Sequence, residues 1–113
     1  TAPILYRPSE DTFRTIPPTA PALGLIDDLS AGPCPAVSVK SGDVLVCYTD
    51  GVTERHSPEG ELYGEERIRT VVRRAVKRGA SPADVVAAIR EDCEKHARDL
   101  PPRDDVTLVV ARL

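Results

Sequence analysis

Two acidic residues stand where a fold could put them to chemical use. Asp50 follows the apolar run Val44-Leu45-Val46-Cys47-Tyr48-Thr49, and Asp104 stands just ahead of the β-branched run Val106-Thr107-Leu108-Val109-Val110-Ala111. A carboxylate at a strand end and followed by glycine, as in Asp50-Gly51, is delivered at a rigid sheet edge while the backbone keeps room to turn sharply. Two such carboxylates on neighbouring strands can converge on one hard cation, because Mg²⁺ and Mn²⁺ take oxygen ligands and keep several waters. Each motif alone has an ordinary reading: Asp-Gly is a common turn, and an Asp pair before a strand can simply be solvated. The combination, each acid abutting an apolar strand, points to a metal site. Other chemistries lack their parts. His56 and His96 have no nucleophile motif beside them and read as surface residues, and the chain has neither a Gly-x-Ser-x-Gly elbow nor a P-loop. Cys34, Cys47 and Cys93 are odd in number and far apart, without Cys-x-x-Cys or Cys/His spacing. They read as reduced thiols of a cytoplasmic protein rather than zinc ligands or a disulfide framework.

The elements that must position these acids follow from composition and periodicity. With 113 residues the chain fits one domain or one piece of one, and with only 4% aromatic residues its core must be aliphatic. Seven of the 11 prolines fall within the first 35 residues and forbid long helices there. Ile4-Leu5-Tyr6-Arg7 and Thr12-Phe13-Arg14-Thr15-Ile16 read as a hairpin around Pro8-Ser9-Glu10-Asp11. Leu23, Leu25, Ile26 and Leu29 supply anchors that a solvated linker would lack. Val37 and Val39 alternate with polar residues before the turn Ser41-Gly42-Asp43, and Val44–Thr49 is a buried central strand. A polar loop through Ser57-Pro58-Glu59-Gly60 leads to an amphipathic helix from about Glu65 to Arg78 with Ile68, Val71, Val72, Ala75 and Val76 on its apolar stripe, closed by Gly79. Ser81-Pro82-Ala83-Asp84 resembles a capping box opening a second helix, whose stripe is Val85, Val86, Ile89, Cys93 and Ala97 and which ends at Pro101-Pro102. The two helices should pack as an antiparallel pair, and Val106–Ala111 returns as a strand. Strands and helices are segregated along the chain, so the class is α+β.

Once the motifs are read together they resemble a known family. Gly42-Asp43-Val44-Leu45-Val46-Cys47-Tyr48-Thr49-Asp50-Gly51-Val52-Thr53-Glu54, then Tyr63-Gly64-Glu65-Glu66-Arg67-Ile68, then Asp104-Asp105-Val106-Thr107-Leu108-Val109-Val110 are similar to the C-terminal half of a SpoIIE/RsbU-type serine phosphatase domain. That family belongs to the metal-dependent PPM, or protein phosphatase 2C-like, superfamily. Ala2-Pro3-Ile4-Leu5 and Pro21-Ala22-Leu23-Gly24-Leu25 extend the likeness over residues 1–113. The resemblance implies an α/β-sandwich of antiparallel sheets flanked by helices, with a binuclear Mn²⁺ or Mg²⁺ centre at one end. It implies hydrolysis of phosphoserine or phosphothreonine by metal-bound water, with no phosphoenzyme. By the same likeness Asp50 and Asp104 match metal ligands, and Gly51 and Asp105 match positions that shape the backbone and hydrogen-bond around them. Glu54, Gly42 and Asp43 read as structural.

The resemblance also implies a phosphorylated protein substrate similar to an anti-sigma-factor antagonist. The family's bridging aspartate, in an earlier Gly-Asp segment, has no counterpart among these residues. The expectation is therefore that the 113 residues alone bind a divalent ion weakly, show little phosphatase activity, and can homodimerise through exposed sheet edges.

Two other classes of function remain as alternatives. One is a non-catalytic module that holds a partner. The other is a nucleic-acid surface on the first helix, where Arg67, Arg69, Arg73, Arg74, Lys77 and Arg78 outnumber Glu65 and Glu66. The net charge of −3 argues against nucleic acid. The basic face could equally pair with the acidic second helix, through Asp84, Glu91, Asp92, Glu94 and Asp99. No stretch is long and apolar enough for a membrane span.

Overall fold

A computed structural model describes residues 1–19 and 36–113. Strands β1 (Ile4–Arg7), β2 (Thr12–Thr15), β3 (Val44–Tyr48) and β4 (Leu108–Arg112) form one antiparallel sheet in the order β2-β1-β3-β4. Between β3 and β4 come α1 (Asp50–Thr53), α2 (Glu65–Lys77) and α3 (Pro82–Ala97). The expected anchors Leu23, Leu25, Ile26 and Leu29, the segment Pro21–Leu25 and Cys34 lie outside the described residues.

Alternation in each strand decides which face the helices cover. Ile4 and Tyr6 of β1 and Val44, Val46 and Tyr48 of β3 are buried, with Leu108 and Val110 of β4 packed beside them. The register holds them in rows, Ile4 opposite Val46 and Val46 opposite Val110. Ile68, Val71 and Val72 of α2 and Val85, Ile89 and Cys93 of α3 close the other side of this core. Each such aliphatic side chain contributes about 1.5–3 kcal/mol of burial. The reverse face of the sheet carries Leu45, Cys47, Val109 and Ala111. There Leu45 and Cys47 of β3 are half-buried, Leu5 opposite Leu45 is buried, and Val109 of β4 is 55% exposed, so cover on this face falls off toward β4.

The helices follow their signals closely. Glu65 and Glu66 open α2 and Arg74 and Lys77 close it, matching its dipole. Gly79 follows in the left-handed region at φ +80, where a side chain would be strained. The capping box of α3 is formed in full: Ser81 Oγ accepts from the Asp84 N–H, and Asp84 Oδ2 accepts from the Ser81 N–H at 3.0 Å. The helix ends on Arg98 and Asp99, both at positive φ, ahead of the prolines. Arg78 lies across a groove from Asp84, and Arg67 across another from His96, so α2 and α3 run antiparallel. Among the described residues no helix is long and apolar enough to cross a membrane.

The differences from expectation lie in the connections. Val37 and Val39 form no strand, and Val39 is 53% exposed. The polar loop after residue 56 is ordered within itself: Ser57 Oγ accepts the N–H groups of Glu59 and Glu61, and the backbones of His56 and Leu62 form an antiparallel bridge. The charges of α2 turn mainly to the β1–β2 hairpin. Arg73 and Lys77 bind Asp11 at 2.9 and 2.7 Å, and Arg69 pairs with Glu65 in its own helix. Among the described residues the one ion pair that joins the basic helix to the acidic one is the longer Arg74–Asp92 contact, 3.9 Å.

Candidate metal site

The chain leaves β3 through Thr49 and enters α1, a single turn in which Asp50 is the first residue. Thr49 is the residue before a helix, yet its hydroxyl does not cap α1. It is used across the sheet instead: Oγ1 donates to the Asp105 carbonyl at 3.0 Å and accepts from the Thr107 N–H at 3.0 Å. The Thr49 N–H donates to the Thr107 carbonyl at 3.1 Å. Thr107 therefore spends its N–H on a side chain, and β4 begins one residue later, at Leu108.

Gly51 explains how close the two acidic segments lie. A Cβ at this buried position would stand 2.3 Å from the Asp105 carbonyl oxygen and 3.3 Å from that of Asp104, so no side chain fits. The glycine serves close backbone approach rather than the sharp turn expected from Asp-Gly, since the chain runs straight into α1. The segments bearing Asp50 and Asp104 are thus in contact.

The carboxylates there are open to solvent. Asp50, Asp104 and Asp105 are exposed, and among the described residues none of them is in an ion pair. Asp104 Oδ1 accepts the N–H of Asp105 at 2.7 Å, which orients the carboxylate and leaves its second oxygen open. The Asp50 carbonyl accepts the Glu54 N–H at 2.7 Å and closes α1. Two exposed carboxylates without cationic partners are an all-oxygen donor set, which fits a hard divalent cation. Among the described residues no group of three or more His, Cys, Asp or Glu is placed to hold one, and Asp50 and Asp104 are two candidate donors.

A cleft of about 640 Å³ opens beside them, lined among others by Gly51, Glu54, Arg55, His56, Arg103 and Asp104. Glu54 gives α1 its terminal backbone bond and lines this cleft. His96 is placed elsewhere, its Nε2 2.9 Å from the Glu61 carbonyl. Asp43 is structural as expected. Its carboxylate accepts from Arg7 Nη2 and the Lys40 N–H, both at 2.9 Å, and Arg7 holds it below the usual carboxylate range.

Two supports were not read from the sequence. Tyr48 at the end of β3 donates to Glu65 Oε2 at 2.7 Å, joining the strand to the start of α2. Burial and that acceptor push the Tyr48 hydroxyl pKa up. Burial opposes ionisation of Glu65, but hydrogen bonds from Tyr48 and Arg69 hold its pKa below the ordinary value. The second is Thr49. A hydroxyl residue closing an apolar strand was the available signal for it, but a strand pattern does not say where a hydroxyl points. Cys47 and Cys93 are free thiols, half-buried and buried.

Comparison with known proteins gives the family and the fold. The family model described as Stage II sporulation protein E (SpoIIE) matches residues 1–113. Protein IcfG of Synechocystis sp. (strain ATCC 27184 / PCC 6803 / Kazusa) is 24% identical over 107 residues, 95% of this chain and 16% of that protein. The solved phosphatase domain of the cell fate determinant SpoIIE from Bacillus subtilis, presoaked with Mn, superposes with a TM-score of 0.62 at 19% identity. That match covers 100% of this chain and 46% of the solved one, so the chain spans under half of the known domain. The α+β arrangement, a four-stranded antiparallel sheet with helices, is that of the PPM phosphatase fold.

Proposed function

Because the chain belongs to the stage II sporulation protein E (SpoIIE) family, we propose that residues 1–113 are the C-terminal portion of a metal-dependent protein serine/threonine phosphatase domain, in which Asp50 and Asp104 are metal ligands. The observation that carries this reading is the contact of Gly51 with the Asp104-Asp105 backbone, which brings together two segments whose carboxylates have no cationic partner among the described residues. Divalent cations, Mn²⁺ or Mg²⁺, would supply charge to offset the phosphoryl oxygens and activate water as the nucleophile. The chain's own residues do the holding. Thr49 fixes the Asp105 and Thr107 backbone, Gly51 lets the segments meet, and the Asp105 N–H orients the Asp104 carboxylate. The substrate is a phosphorylated regulatory protein, similar to an anti-sigma-factor antagonist.

The test is Mn²⁺-dependent phosphate release by the full-length protein from a phosphoserine protein substrate. Asp50→Asn and Asp104→Asn are each expected to lower the rate about a thousandfold. Unimpaired turnover in both variants overturns the assignment of the ligands. Absence of any metal-dependent turnover in the wild type leaves a non-catalytic partner-binding module. Residues 1–113 alone, with two of the ligands, are expected to bind Mn²⁺ weakly and to turn over little substrate.

A further inference from the structure

The segment that carries Asp104 is held at both ends. Beyond Asp104 it is fixed by Thr49 and by the Gly51 contact. Before Asp104 it is fixed by Arg55, whose guanidinium Nη2 donates to the carbonyl of Leu100. Between Leu100 and Asp104 lie Pro101, Pro102 and Arg103. The two prolines have locked φ angles, so a grip on Leu100 is transmitted to Asp104 through a stiff connection.

Arg55 is itself tied to Asp50. It follows Glu54, the C-cap of α1; its N–H donates to the Val52 carbonyl at 3.4 Å, and its carbonyl accepts the Tyr63 N–H at 2.8 Å. One turn of chain therefore presents Asp50 at its start and grips the Asp104 segment from its end. The residue is half-buried and lines both the cleft that holds Asp104 and an apolar one lined by Val52, Ile89, Cys93 and Val106. Among the described residues Arg55 is in no ion pair, and its side-chain hydrogen bond goes to a backbone carbonyl. An arginine so placed fixes backbone geometry and neutralises no acid.

We propose that Arg55 is a positioning residue that sets the placement of Asp104 relative to Asp50, and through it the affinity for the divalent cation. The metal consequence rests on the phosphatase reading; the effect on the Asp104 segment does not. In the full-length protein Arg55→Met keeps the length and loses the donor, whereas Arg55→Lys keeps a donor. Titration with Mn²⁺ alone is expected to show about tenfold weaker binding for Arg55→Met and a value within about threefold of wild type for Arg55→Lys. In activity assays the loss should appear in the Mn²⁺ concentration required, with kcat recovering at saturating metal. In the metal-free protein, amide exchange at Asp105 and Thr107 should quicken about tenfold in Arg55→Met.

Wild-type affinity in Arg55→Met, equal impairment of the two variants, or an Arg55→Met protein that does not fold overturns the proposal. If the wild type binds no Mn²⁺, the phosphatase reading fails and the exchange rates alone decide whether Arg55 positions this segment.

Discussion

Strand β3 is flanked by the same two residue types in opposite order, Gly42-Asp43 before it and Asp50-Gly51 after it, and the two aspartates have opposite fates. The Asp43 side chain is 1% exposed and meets Arg7 through both Nε and Nη2. Asp50 is exposed and, among the described residues, meets no cation. The cause is topology. Antiparallel pairing sets Tyr6 opposite Val44, which brings the following Arg7 to the Asp43 end, while the start of β1 pairs nearer the middle of β3 through Ile4 and Val46. A carboxylate whose acceptor sites are filled by protein donors is a structural element, and one whose sites are open is available to a ligand.

That contrast is broken most directly by removing one charge at a time. Asp50→Asn is expected to leave the melting temperature within about 2 °C of wild type while Mn²⁺-dependent turnover collapses, because an exposed carboxylate without a partner contributes little to folding. Asp43→Asn should do the reverse. It leaves Arg7 without its partner, lowers the melting temperature by about 5–15 °C, and keeps Mn²⁺ affinity within about threefold. Thermal denaturation and Mn²⁺ titration on the same two proteins separate the roles. Equal loss of stability in both variants would erase the distinction.

Acid sharpens the comparison, since the structural carboxylates titrate with folding. Hydrogen bonds from Lys77, then Tyr6 and Arg73, lower the Asp11 pKa to about 2, and Arg7 lowers that of Asp43. Both folded pKa values are depressed, so their stabilisation is present above the ordinary carboxylate value of 3.8 and is lost as pH falls through the folded values, toward about 2 for Asp11. Circular dichroism between pH 5 and pH 2 should show the loss beginning near about pH 4. Asp11→Asn should be less stable at neutral pH and lose less on acidification. A wild-type slope in Asp11→Asn would place the acid sensitivity elsewhere.

The same contrast shows how much could be read from residues alone. The span of β1, the core of β3, the capping box of α3 and the stop at Gly79 follow from apolar alternation, helical periodicity and capping chemistry, which are local properties. That Asp50 and Asp104 stand near strand ends is legible in the sequence, whereas the backbone contact at Gly51 that brings their segments together is not. What stayed illegible depends on partners far along the chain. Helix α1 has a single apolar side chain, Val52, and no periodicity to find. The basic face of α2 is answered chiefly by Asp11 of the hairpin, whose place beside it only the fold decides. Arg55 looks like any loop arginine until Leu100 is brought to it.

Thr49 yields the smallest effect and the finest test, because it lies beside the open carboxylate and is itself structural. Its hydroxyl both donates and accepts, toward Asp105 and Thr107, so one oxygen replaces a rung of the β3–β4 ladder. Thr49→Ser preserves both bonds and should differ from wild type by under about 0.5 kcal/mol. Thr49→Val keeps the shape and leaves a carbonyl and an N–H without that partner, at a cost of about 1–2 kcal/mol. With the Asp105 backbone released, Asp104 should also wander, so Mn²⁺ affinity in Thr49→Val is expected to fall by about tenfold. Denaturant melts and Mn²⁺ titration of the two variants give the answer. A stability loss in Thr49→Val without a loss of affinity would show that the Gly51 contact and the Arg55 bond keep the two segments in place without the Thr49 hydroxyl.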